Sequence, residues 1–170
     1  MRGHWVRRDR AGRLGLRFEP LEVETLMAVV AELREVLVAP TGDDPISRRL
    51  FPRAYLDPTE EASEEQWQAL VAPDLLRSRL DALDSVTTML SDAVPTRRGS
   101  LEVELDEGSA ATWAAVLNDA RLAHGTALEV TEETDLDDFG ADDERRGRFL
   151  LYIALTSLQG ELIDALLDAP

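Results

Sequence analysis

The sequence predicts a mainly α fold, about five helices in a compact bundle, with a small β element made of an N-terminal hairpin and a strand near residues 101–105. Three observations carry this reading. Long stretches repeat apolar residues at spacings of three and four, the period of a helix with one buried face. Leu101-Glu102-Val103-Glu104-Leu105 alternates strictly, the period of a half-buried strand. Two short runs, His4–Arg8 and Leu14–Phe18, flank a turn that contains Gly12. A chain of 170 residues fits one domain, residues 1–170, with a basic hairpin at 3–18 and a helical body at 19–170.

The elements follow in order. The hairpin would bury Trp5, Leu14, Leu16 and Phe18. Glu19-Pro20 opens a helix, because proline is tolerated in a first turn and Glu22 and Glu24 suit the positive end of its dipole. Leu26, Val30, Leu33 and Leu37 mark the buried stripe, and the loop Ala39–Pro45 ends it. Ile46–Phe51 makes one or two helical turns before Pro52. Ser63-Glu64-Glu65-Gln66 matches a capping box and predicts a short helix with Trp67, Leu70 and Val71 as its apolar face. Pro73-Asp74 then predicts a separate helix, with Leu76, Leu80, Leu83, Val86 and Leu90 inward. After the acidic strand at 101–105, Asp106 or Ser109 caps a helix that Gly125 would stop in the left-handed conformation. Its buried residues are Trp113, Val116, Leu117 and Ala120. A short extended piece at Leu128–Val130, an acidic loop at Thr131–Asp143 and an apolar helix at Glu144–Leu167 complete the chain.

Composition excludes much chemistry. There is no cysteine, so no disulfide, thiol nucleophile or cysteine-ligated metal. All 18 bases are arginine, which removes Schiff-base lysines and a Walker A lysine. The net charge of −16 opposes binding to nucleic acid or anionic lipid. That charge is polarised. Residues 1–17 carry +5, from Arg2, Arg7, Arg8, Arg10, Arg13 and Arg17 against Asp9, and the remainder carries −21. Either the hairpin is a basic contact surface, or it docks on the acidic body, with Glu102 and Glu104 facing its arginines. No signal sequence is visible and Phe149–Gly160 is too short to span a membrane, so a cytoplasmic protein is expected.

Few motifs survive inspection. An EF-hand register starting at Asp135 puts Phe139 at the fifth position and Arg146 at the twelfth, where oxygen ligands are required. No metal or cofactor is therefore expected, and no residue is assigned a catalytic role. Asn118, Arg121 and His124 share one helix face with Asp119 beside them, either an anion-binding row or an internal hydrogen-bond network. The terminal helix is apolar on more than one face, as in a bundle core or a homodimer interface. Candidate binding residues are Asn118, Asp119, Arg121, Arg7, Arg8, Arg10 and Arg13.

Several segments taken together resemble a known family. They are Pro20-Leu21-Glu22, Asp44–Pro52, Asp74-Leu75-Leu76-Arg77, Trp113–Leu122 and Gly125-Thr126. The chain resembles, over nearly its whole length, the actinobacterial family called domain of unknown function two-thousand-and-seventeen. The resemblance implies a cytoplasmic protein without assigned activity, often encoded near the Clp protease adaptor and in some members labelled a transcriptional regulator. It marks Asn118-Asp119-x-Arg121 and Gly125-Thr126 as signature positions. The leading expectation is a non-enzymatic interaction or regulatory module with a protein partner. A DNA-binding regulator using the basic hairpin is the alternative, and an enzyme of unrecognised type the third.

Overall fold

The computed structural model describes residues 5–9, 13–38 and 44–168. Four antiparallel strands form one sheet in the order β1-β2-β4-β3: β1 is Val6–Arg8, β2 Leu14–Phe18, β3 Val94–Pro95 and β4 Leu101–Leu105. Five helices accompany it: α1 Pro20–Val38, α2 Pro45–Leu50, α3 Glu61–Ser91, α4 Glu107–Ala127 and α5 Glu144–Leu167. The loop at Ala39–Pro45 and Arg10 lie wholly or partly outside the described residues.

Strand pairing explains the alternation of β4. Leu14, Leu16 and Phe18 register with Leu105, Val103 and Leu101, which puts one apolar face on the helices. The opposite face carries Arg17 across from Glu102. The turn joining β3 to β4 needs Gly99, whose φ of 88° is a conformation that other residues adopt only under strain. α4 lies at the centre, packing chiefly on α5 and also on α2, α3 and α1. Its Trp113 is buried and stacks on Phe18 at 5.9 Å between ring centroids. The buried stripes of α1, α4 and α5, with Leu83, Val86 and Leu90 of α3, close one continuous core. A smaller cluster of Leu128, Phe139 and Phe149 sits where the acidic loop meets α5.

Three sequence expectations need correction. α3 is one helix of 31 residues with Pro73 inside it, not a short helix followed by a second. Proline removes one backbone hydrogen bond and crowds the preceding turn. Here Leu76 and Leu80 pack on the core beyond it and Glu64 is anchored before it, so the helix is held on both flanks. Ser63 accordingly falls within the helix, and the chain enters α3 through a 3-10 turn at Pro58–Glu60 that Asp57 caps through the Thr59 N–H.

Gly125 does not stop α4, which continues to Ala127. A Cβ at Gly125 would lie 3.1 Å from the ring of Tyr152, so glycine serves the close approach of α5. The left-handed residue is Glu129, at φ 56°, and Leu128–Val130 is a turn instead of an extended piece. The N–H groups of Glu129 and Val130 donate to the carbonyls of Thr126 and Gly125, the paired bonds of a Schellman cap. Glycine is the residue that this position favours. Glu129→Gly is expected to stabilise the protein by about 1 kcal/mol, read as a rise in the urea midpoint.

Candidate functional site

The polar stretch Asn118–Arg121 on α4 divides between two sides of the helix. Asp119 turns toward α3, where one carboxylate oxygen lies 2.9 Å from Nε of Arg79. Both side chains are largely buried. Arg79 also donates from Nη1 to the Leu50 carbonyl at 2.6 Å, and its guanidinium lies 4.7 Å from the centroid of the Phe51 ring. One arginine thus joins α2, α3 and α4. Burial raises the Asp119 pKa and Arg79 pulls it back, so the ion pair is what keeps a carboxylate at this depth.

Asn118 and Arg121 make a separate contact, Nη2 donating to Oδ1 at 3.2 Å. Arg121 is half-buried, and its Nε has no hydrogen-bond partner although that atom is closed to solvent. It borders an open cleft with Arg49 of α2, Thr126, Glu129 and Tyr152. His124, one turn farther, is held toward its neutral form by burial, with Glu32 favouring the charged form and Arg148 opposing it. A histidine whose folded pKa is depressed contributes stability above its unfolded pKa of 6.5, and that contribution is lost as pH falls. His124→Gln is expected to flatten the decline in unfolding free energy between about pH 6.5 and 5.5, measured by urea titration, a range above the carboxylates.

Arg8, Arg13 and Arg17 of the hairpin are engaged with the body. Arg17 reaches Glu102 at 3.0 Å on the outer sheet face. Arg13 pairs with Asp9 at 2.7 Å and lies 3.8 Å from Glu104. Arg8 donates to the Ala165 carbonyl near the end of α5, whose last turn contains no basic residue. A cation there complements the negative end of the helix dipole. Arg7 is exposed at the sheet edge, and Arg10 lies outside the described residues. Two further clips fix the hairpin: Glu161 Oε2 accepts the N–H groups of Trp5 and Val6 at 3.0 and 3.3 Å, and Glu22 accepts the Trp5 indole N–H at 3.2 Å.

The acidic loop is organised by arginines. Arg146 Nη1 donates to the carbonyls of Leu136 and Phe139, and Arg145 Nη2 to that of Leu128. Among the described residues no three acidic or histidine side chains gather as a metal site.

One surface escaped the sequence reading. The N-terminal half of α3 buries only Glu64, while Leu70 is 68% exposed and Val71 37% exposed. The loop before it adds Tyr55 and Leu56, both exposed. This loop is pinned to the helix by Glu64, whose Oε2 accepts the N–H groups of Ala54 and Tyr55 at 3.0 and 2.8 Å. Those bonds, with one from Gln68, hold the Glu64 pKa below the usual carboxylate range. The apolar spacing of Trp67, Leu70 and Val71 was visible in the sequence; that the face meets solvent was not.

The family model described as a domain of unknown function, DUF2017, matches residues 1–166. The chain belongs to this family. It is similar to the "Putative oxidative stress regulator AosR" of Mycobacterium leprae, 34% identical over 134 residues, which cover 74% of this chain and 59% of that protein. It is 35% identical over 111 residues to the "Oxidative stress regulator AosR" of Mycobacterium tuberculosis and of Mycobacterium bovis, covering 58% of this chain and 50% of each of those proteins. The matched segments thus span between half and three-fifths of the length of these curated relatives. No solved structure matches the chain.

Proposed function

We propose that this DUF2017 protein is a regulatory module that acts by binding a protein partner through the exposed half of α3. The observation that carries the reading is the exposure of Leu70 and Val71 on α3, and of Tyr55 and Leu56 in the loop that Glu64 ties to that helix. A helix that stands off its own core with an apolar face suits a groove on another protein. The exposed Glu60 and Glu65 on the same helical segment call for a basic rim around that groove. The names of the mycobacterial relatives support the regulatory part of the proposal.

A chain without cysteine holds no thiol–disulfide switch of its own. The hairpin supports a DNA-binding reading less well, because Arg13 and Arg17 are spent on internal carboxylates.

Affinity capture from an actinobacterial cytosol, with the wild type, Leu70→Asp and Arg121→Ala run side by side, tests the reading. A single partner identified by mass spectrometry should be retained by the wild type and Arg121→Ala, and lost with Leu70→Asp and with added salt. Purified, that partner should bind the wild type and not Leu70→Asp in calorimetry. Equal recovery with Leu70→Asp, or loss with Arg121→Ala alone, would overturn the assignment to α3.

A further inference from the structure

Among the described residues the outer face of α5 has no counterpart. Leu150, Ile153, Ser157, Gly160, Asp164 and Leu167 are all exposed and follow spacings of three, four, three, four and three, the seam of a two-stranded coiled coil. Ala154, Leu155, Leu158 and Leu162 on the inner face are buried, whereas Leu150 and Ile153 on the outer face are 45% and 40% exposed. In an acidic chain this face carries no charge from Phe149 to Gly160, so it is where two copies approach each other without repulsion.

We infer that α5 pairs antiparallel with α5 of a second copy, in one register. Placing Ile153 of one copy against Ser157 of the other brings Leu150 against Gly160 and Arg146 against Asp164, and the two-fold axis repeats each pair. Large residues meet small ones in both central layers, and opposite charges meet at both ends. Packing among the described residues gives Gly160 no purpose: a Cβ there would meet none of them within 4 Å. Glycine inside a helix costs stability relative to alanine. The side chain of Leu150 from the other copy fills that space. Arg146 keeps Nη2 for Asp164, because its contacts to the Leu136 and Phe139 carbonyls use Nη1.

Sedimentation equilibrium of the full chain should give twice the 18.9 kDa chain mass, falling to one chain mass on dilution. Ile153→Glu should weaken the dimer about tenfold or more with the helical circular dichroism unchanged. Gly160→Leu should weaken the dimer while raising the helix stability of the dilute monomer, an opposition that a structural role within one chain would not produce. The register is read by cross-linking, since the chain has no cysteine of its own. Mixing Ile153→Cys with Ser157→Cys should give a disulfide-linked dimer that neither variant forms alone. A wild type that stays monomeric at high concentration, or a dimer indifferent to Ile153→Glu and Gly160→Leu, would overturn the proposal; cross-linking of Ile153→Cys with itself would overturn the register.

Discussion

Replacing Asp119 by alanine is expected to lower the unfolding free energy by about 3 kcal/mol, the low end of what breaking a buried ion pair costs. The low end applies because Arg79 keeps two other partners, the Leu50 carbonyl and the Phe51 ring. What it loses is the carboxylate 2.9 Å from Nε in a place where both side chains are withdrawn from water. Urea unfolding measures the loss. The double variant Arg79→Met/Asp119→Leu should recover most of it, since apolar residues of similar volume carry no charge to desolvate on folding. Hydrogen exchange adds a spatial reading: the amides of α2 should exchange faster in Asp119→Ala, because Arg79 is the link from α4 to the end of α2. A loss under about 1 kcal/mol would show that the pair is solvated and that Asp119 has some other role.

That result bears on what the polar residues of α4 do. Asn118, Asp119 and Arg121 are close in sequence, and helical spacing alone places Asn118 and Arg121 on one face. The spacing cannot reveal that Asp119 has a partner on α3, forty residues earlier in the chain, so the ridge of Asn118, Arg121 and His124 with Asp119 beside it favours an internal network without excluding an anion site. The β4 strand was easier to read, since alternation depends on adjacent residues and the pairing of Arg17 with Glu102 follows from charge once β2 lies alongside. Pro73 misled for a related reason. Its local preference for a helix start is real, but Leu76 and Leu80 beyond it and Glu64 before it hold one helix through it. The stop after α4 was misplaced because glycine at 125 answers to the Tyr152 ring, a contact between helices, whereas Glu129 takes the strained backbone. Local rules located the elements; the contacts between elements decided what each polar residue does.

The charge polarity of the chain leads to the second large effect. Glu161→Ala is expected to cost about 2–3 kcal/mol, because one carboxylate oxygen of Glu161 accepts the N–H groups of both Trp5 and Val6. Removing it leaves two backbone donors without their charged acceptor at the point where β1 meets α5. Trp5 is 7% exposed and is held a second time through its indole N–H by Glu22, so the hairpin loosens at its first strand before the sheet as a whole opens. Tryptophan emission should shift to longer wavelength at denaturant concentrations below the main transition. Glu161→Gln, which keeps one acceptor oxygen, should recover part of the loss. The contrast with Arg13 sharpens the point. Its contacts to Asp9 and Glu104 are exposed, so Arg13→Ala should leave the urea midpoint nearly unchanged. If the positive charge of the hairpin itself anchored it to the acidic body, the arginine variant would be the damaging one. The geometry assigns that task to a carboxylate of the body holding uncharged backbone N–H groups of the hairpin, with the arginines adding the outer sheet face and the end of α5.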